Sequence, residues 1–211
     1  MSAAIVVLAA GQGKRMHSNQ PKVMHRVAGK PMVEHVLDTA RAVSDARPVL
    51  VYGHGGAQLR AGLAHRDLTW VEQAEQLGTG HAVAQTLDEL PSASRVRVLY
   101  CKDPPLPAAS LEALLHAAAE SGFGVLTVKM NDPTGYGRIV RGEGGDVARI
   151  VEHKDASAAE LAIDEINTGI MAIDAARLKT WIPRLGNQNA QGEYYLTDCV
   201  EMAVAERVAV K

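Results

Sequence analysis

The chain has 211 residues, of which 47% are hydrophobic and only 4% aromatic, with 22 basic against 24 acidic residues for a formal charge of −2. A chain of this size and apolar content suits one domain whose core buries roughly 70% of the unfolded surface. The charge balance argues against a broad polyanion-binding face and hence against nucleic acid.

The first residues lack the charged and long apolar regions of a signal peptide, and the opening apolar run is far shorter than the roughly 20 residues that span a bilayer. A cytoplasmic protein is therefore expected. Cys101 and Cys199, the two cysteines, have no metal-ligand spacing and are expected to be free thiols.

Residues 3–8 form an apolar run that reads as a buried strand. It leads into Leu8-Ala9-Ala10-Gly11-Gln12-Gly13-Lys14-Arg15-Met16, followed by Pro21-Lys22-Val23. Small residues let backbone N–H groups approach phosphate oxygens, and Arg15 and Lys22 add full positive charge. For Lys14 a surface role weighs at least as much as a phosphate role. The loop is neither a Walker A loop, because Arg15 follows Gly13-Lys14, nor a dinucleotide fingerprint, because Met16 stands where the third glycine belongs.

Residues 32–43 have helical spacing, with Pro31 suited to a helix start. Strands are expected at 49–52 and 68–72, a helix at 81–90, a strand at 96–100, a helix at 110–119 with Ser110 as its N-cap, and a strand at 125–129. Strands separated by helices predict a parallel sheet with helices on both faces. Residues 138–141 and 147–152 flank the turn cluster Gly142-Glu143-Gly144-Gly145-Asp146 and predict a hairpin. A strand at 168–173, a helix beginning at Asp174 and a last helix at 196–205 complete the chain. Ligands bind at the carboxyl ends of parallel strands. The glycine loop, residues 73–79 and Asp103 each follow a strand, so all three are expected at one edge.

The run from Leu8 to Lys22 resembles the signature loop of sugar-phosphate nucleotidyltransferases. Its continuation, Pro21-Lys22-Val23-Met24-His25-Arg26-Val27-Ala28-Gly29-Lys30-Pro31-Met32, narrows the resemblance. It is similar to the uridylyltransferase half of the bifunctional UDP-N-acetylglucosamine pyrophosphorylase/glucosamine-1-phosphate acetyltransferase family. Gln73-Ala74-Glu75-Gln76-Leu77-Gly78-Thr79-Gly80-His81, Asp132-Pro133-Thr134-Gly135-Tyr136-Gly137-Arg138-Ile139, Val151-Glu152-His153-Lys154-Asp155, Glu165-Ile166-Asn167-Thr168-Gly169-Ile170 and Asn189-Ala190-Gln191-Gly192-Glu193-Tyr194-Tyr195-Leu196-Thr197-Asp198 resemble the same family.

The resemblance implies a Rossmann-like α/β nucleotidyltransferase domain over residues 1–211, with a mostly parallel sheet and a smaller sugar-side lobe. It implies transfer of a uridylyl group from UTP to N-acetylglucosamine 1-phosphate, an early step toward peptidoglycan precursors. Arg15 and Lys22 are then the catalytic cations. Leu8, Ala9, Ala10 and Gly11 line the nucleotide; Gln73, Gly78 and Thr79 contact the uracil. Gly137, Glu152 and Asn167 contact the sugar, Lys154 is a phosphate partner, and Asp103 is the ligand to Mg²⁺. Tyr194, Tyr195 and Thr197 are read as packing residues.

Two departures from the family pattern lower the expected turnover. Tyr-Gly-Asp becomes Tyr100-Cys101-Lys102-Asp103, either by replacement of Tyr-Gly or by insertion of a pair for the glycine. Both alignments lose a glycine and place a cation beside Asp103. The family's second metal ligand, an asparagine downstream of the Tyr-Tyr-Leu-Thr-Asp segment, has no counterpart after Asp198. The left-handed β-helix acetyltransferase half is expected to be absent, and the chain a monomer or weak oligomer. A related transferase of other specificity, or a weakened nucleotide-sugar-binding module, are the competing readings.

Overall fold

The computed structural model describes residues 3–11, 13, 18, 20–53, 55–91, 95–100 and 107–211. Arg15, Lys14 and the segment from Cys101 to Asp103 lie outside them.

Strand β1 (Ala3–Leu8) is the centre of an eight-stranded sheet. It pairs in parallel with β4 (Val49–Tyr52) and β6 (Arg95–Tyr100), and β4 pairs in parallel with β5 (Thr69–Glu72). Outside that sheet lie a two-stranded ribbon of β2 (Arg26–Val27) and β3 (Lys30–Pro31) and a single helical turn, α5 (Ala158–Leu161). Val6 and Leu8 pack on one face of the sheet and Ile5 and Val7 on the other. That alternation is the two-residue period of a strand buried on both faces. Helices α1 (Met32–Val43), α2 (Gly56–Gly62) and α4 (Ala108–Ser121) cover the Ile5 face; α3 (Thr79–Ala84), α6 (Ala175–Trp181) and α7 (Asp198–Ala205) cover the other. Among the described residues no helix is long and apolar enough to cross a membrane.

The sheet turns antiparallel beyond β6. Strand β10 (Glu165–Asp174) runs along β7 (Phe123–Lys129) over its whole length. On its other side residues 171–174 pair with β6, whereas Ile166 pairs with β8 (Arg138–Arg141), the first strand of the expected hairpin with β9 (Val147–Val151). The change of partner coincides with a bulge: Asn167 faces Thr127 and Met171 faces Val125, so three residues of β10 oppose the single Leu126. Gly169, at φ 89°, supplies the left-handed backbone, and the Thr168 hydroxyl donates to the Leu126 carbonyl at 2.7 Å. A bulge of this kind bends the strand and re-aims its side chains. Here it carries the chain from the hairpin onto the edge of β6.

Strand β7 begins at Phe123 rather than 125 and β10 at Glu165 rather than 168, and further boundaries differ from the sequence reading for local reasons. Helix α4 starts at Ala108, with Pro107 rather than Ser110 at its N-cap, because the fixed φ of proline (−59° here) already suits a helix start. Residues 85–90 do not continue α3. The buried Thr86 hydroxyl donates to the Val83 carbonyl at 2.7 Å, and only a single 3₁₀ turn (Leu87–Glu89) follows. Helix α7 begins at Asp198 because the Leu196 N–H is drawn to the Thr79 hydroxyl at 3.0 Å.

An ion pair between the buried Glu165 and the exposed Arg141 fastens β7, β8 and β10 together. Arg141 on β8 donates to both oxygens of Glu165 on β10, at 2.8 and 2.5 Å, and Thr127 on β7 donates to the same carboxylate at 2.7 Å. The Arg141 hydrogen bonds hold the Glu165 carboxyl below its ordinary 4.5, against the opposing effect of burial. A depressed folded value contributes stability that is complete above the unfolded value and is lost as pH falls through the folded one. Glu165→Gln is therefore expected to lower stability by about 1–2 kcal/mol at pH 7, with a smaller difference from the parent below pH ~4. Urea melts of both proteins at pH 3.5 and 7 check this. An equal deficit at both values would remove the electrostatic account.

Candidate active site

The carboxyl ends of β1, β4, β5 and β6 share one edge, as their parallel pairing requires. Leu8, Ala9 and Ala10 are buried there, and the Ala9 N–H extends the ladder to the Val51 carbonyl at 2.8 Å. Gly11 is exposed, and no described atom lies within 4 Å of where its Cβ would stand. Packing among the described residues thus gives no reason for a glycine at this position. Gly53, at the end of β4, fits between Ala10 and the Gln76 amide; an added Cβ would lie 2.7 Å from Gln76 Nε2 and 3.0 Å from the Ala10 carbonyl oxygen.

Lys22 opens a 3₁₀ turn (Lys22–Met24) that is seated by three glycines. Gly13, at φ 59°, lies against the Lys22 stem, Gly55 against Pro21 and Gly62 against Met24; a Cβ on each would come within 2.7, 2.6 and 2.4 Å respectively. The turn is therefore pressed onto α2, and the Lys22 ammonium makes no ion pair among the described residues.

Residues 73–79 form a loop continuing β5, with the Gln73 N–H on the Tyr52 carbonyl at 2.8 Å. Gln73 is only 3% exposed. Its Nε2 donates to the Gly78 carbonyl at 3.0 Å and lies 3.1 Å from His81 Nδ1. Gly78 has φ 108° and ψ 177°, a region essentially confined to glycine. The loop is clamped by residues 193–197: Tyr194 donates to the Leu77 carbonyl and accepts from the Gly80 N–H, both at 2.8 Å.

At the bulge of β10, Gly137, Glu152 and Asn167 come together. The Asn167 N–H donates to the Gly137 carbonyl at 2.9 Å, and a Cβ on Gly137 would stand 3.4 Å from both Glu152 carboxylate oxygens. Asn167 Oδ1 accepts from the Gly169 N–H at 2.8 Å, which fixes the amide. Thr197 donates to Glu152 at 3.3 Å. The segment that clamps residues 77–80 thus reaches Glu152 as well. Tyr195 and Thr197 are buried, as expected of packing residues, but the link from Thr197 to Glu152 was not legible in the sequence. Lys154 is exposed and makes no ion pair among the described residues.

Acidic groups gather behind Glu152. The Tyr195 hydroxyl donates to Asp155 at 3.3 Å and accepts from Gln191 Nε2 at 2.8 Å, and burial pushes its own pKa up to about 12. Burial first, then Glu201, Glu152 and Asp155, push Asp198 up to about 6. A carboxyl raised in the folded state contributes stability present below its unfolded value and lost as pH rises through the folded one. Asp198→Asn is therefore expected to raise stability by about 1–2 kcal/mol at pH 7.5 and by little at pH 4. Thermal melts at the two values test it; no gain at pH 7.5 would contradict the burial argument. Cys199 beside it is buried, and burial pushes its thiol up to about 12, which keeps it an inert core group.

This fold, with a small-residue loop and a cationic turn at the head of a doubly covered sheet, defines a nucleotidyltransferase domain. The chain belongs to the family described as MobA-like NTP transferase domain, which it matches over residues 5–162. It is 58% identical over 207 residues to the bifunctional protein GlmU of Dechloromonas aromatica and 54% identical over 210 residues to that of Idiomarina loihiensis. Those alignments cover 98% and 100% of this chain but 46% of each relative, so the chain spans about half the length of the curated relatives it matches. Solved structures of similar fold include UDP-glucose pyrophosphorylase complexed with UDP-glucose, at TM-score 0.80, 17% identity and coverage of 99% of this chain and 89% of that one. Another is a putative glucose-1-phosphate thymidylyltransferase from Bacillus anthracis, at TM-score 0.79, 18% identity and coverage of 100% and 85%.

Proposed function

We propose that this chain transfers the uridylyl group of UTP to N-acetylglucosamine 1-phosphate and releases pyrophosphate. The observation that carries the reading is the partner switch of β10. It sets Gly137 and Asn167 at the hairpin end of β10, apart from the parallel strands that residues 8–11 and 73–79 follow, and in this reading the substrates bind between the two groups. The names of the relatives support the same assignment.

In this reading the backbone of residues 8–11 approaches the triphosphate, and no described atom crowds Gly11. A phosphate oxygen of the sugar phosphate attacks the α-phosphorus of UTP, and pyrophosphate departs. The nucleophile is already an anion, so no general base is required. The protein positions the two substrates and neutralises charge, with Lys22 and Arg15 as the cations. Gln73, Gly78 and Thr79 receive the uracil; Glu152 and Asn167 receive sugar hydroxyls. We place all of residues 1–211 in this one domain, acting on soluble substrates in the cytoplasm.

Among the described residues no group of three or more His, Cys, Asp or Glu side chains could hold a metal ion. A Mg²⁺ ion here would rest on Asp103, with triphosphate oxygens and water completing its shell, a donor set that suits Mg²⁺. When bound, it would supply further neutralisation of the triphosphate.

Pyrophosphate release, measured with each nucleoside triphosphate and with N-acetylglucosamine or glucose 1-phosphate, tests the assignment. UTP with N-acetylglucosamine 1-phosphate is expected to give the highest kcat/KM. Equal values for UTP and ATP would sink uridylyl transfer. Preference for glucose 1-phosphate would instead mark a related transferase of other specificity.

A further inference from the structure

We propose that His81 is a positioning residue that fixes the Gln73 amide so that only its oxygen is offered to the base, and thereby sets the preference for uracil over cytosine. The inference rests on the uridylyl-transfer reading above. Gln73 is buried, and its backbone is tied to β4. Its Nε2 has two N–H groups. One donates to the Gly78 carbonyl, which can only accept, so the amide cannot turn over without setting two oxygens against each other. The other faces His81 Nδ1 at 3.1 Å. That nitrogen must then accept, which places the imidazole proton on Nε2.

The opposite tautomer has one claimant. Gln85 Nε2 lies 3.3 Å from His81 Nε2 and donates to the His81 carbonyl at 3.2 Å. Gln85 is exposed and can exchange the imidazole for water at little cost; Gln73 cannot. Stranding a buried N–H is the more expensive outcome, so Gln73 decides the tautomer. The His81 ring is itself held near Tyr194, with ring centres 6.4 Å apart, in the segment that clamps the loop.

With both N–H groups taken, Gln73 Oε1 is the remaining polar atom, and no described donor reaches it. An acceptor fixed in this way suits the N3–H of uracil. Cytosine presents a bare lone pair at N3, and the two acceptors would repel. Without His81 the second N–H is unpartnered, and the amide is free to tilt toward other contacts.

The test compares kcat/KM for UTP and CTP in the parent, in His81→Phe, which keeps a ring against Tyr194 but has no acceptor, and in His81→Asn, whose Oδ1 can stand where Nδ1 stood. The UTP/CTP ratio is expected to fall about tenfold in His81→Phe, equivalent to about 1.4 kcal/mol, to recover to within about threefold of the parent in His81→Asn, and the KM for the sugar phosphate to stay unchanged. In the unmodified protein, side-chain ¹⁵N resonances of His81 should report the proton on Nε2, a readout that does not depend on a variant folding. A proton on Nδ1, or an undiminished ratio in a folded His81→Phe, overturns the proposal alone. A parent protein that uses UTP and CTP equally overturns it together with the uridylyl-transfer reading.

Discussion

Lys22→Ala is expected to lower kcat/KM for UTP by about 30- to 1000-fold, or ~2–4 kcal/mol of transition-state stabilisation. The reasoning starts from the turn that carries it. Pro21 and Met24 are pressed against Gly55 and Gly62 of the β4–α2 segment, and Gly13 makes room for the lysine stem. The lysine stem is thus held against Gly13 by contacts that do not involve the charge. Its removal should leave the fold intact, and Tm should move little. A charge already in place when phosphorane charge develops needs no reorganisation, and this makes the effect large. Lys22→Arg should restore only part of the rate, because a planar fork does not occupy the site of a compact point charge. Arg15→Ala is expected to act in the same direction. Parental turnover of Lys22→Ala at saturating UTP would remove Lys22 from the catalytic role.

Gly78→Ala is expected to cost about 2–4 kcal/mol of stability and to raise the KM for UTP by more than tenfold. Two independent penalties act. The backbone lies at φ 108° and ψ 177°, where a side chain costs about 1–3 kcal/mol. The new methyl would also lie 2.6 Å from the Tyr194 carbonyl oxygen and 2.9 Å from Glu193 Cβ. Neither can yield without loosening the hydrogen bonds that join residues 77–80 to residues 194–196, and overpacking of this kind costs about 1–3 kcal/mol. In a domain of this length the loss corresponds to a fall in Tm of roughly 5–15 °C. Gly11→Ala is the control: its Cβ would meet nothing within 4 Å among the described residues, so stability should hardly change. A Gly78→Ala protein that melts with the parent would show that the clamp yields freely.

The parallel half of the sheet was legible because its strands are short apolar runs bounded by glycine or polar residues. Residues 49–52 and the helix at 32–43 fall where their periodicity puts them. Helix α2 was not legible. Its ends are Gly56 and Gly62, and glycine at those places serves close contact with Tyr52 and Met24 rather than helix propensity. Arg97 is a similar case. It lies in the expected strand 96–100, where nothing local calls for a cation, yet it is buried and donates to the Val43 carbonyl at the end of α1, at 2.9 Å. Only a distant helix terminus with an unpaired carbonyl explains a cation there.

The sequence by itself determined the α/β class, the one-edge convergence of the loops after β1 and β5, and the residues nominated for each side of the cleft. Those are local properties: strand period, loop composition and the order of parallel elements. The tertiary structure decided how the two sides are joined. The partner switch of β10 at Asn167, the clamp of residues 193–197 across Leu77, Thr79 and Glu152, and the grip of His81 on Gln73 all join segments whose connection no local pattern states. Hydrogen bonds between residues more than a hundred positions apart, such as Thr79 with Leu196, leave no period in the chain. They exist only because burial of both sheet faces brings their ends together.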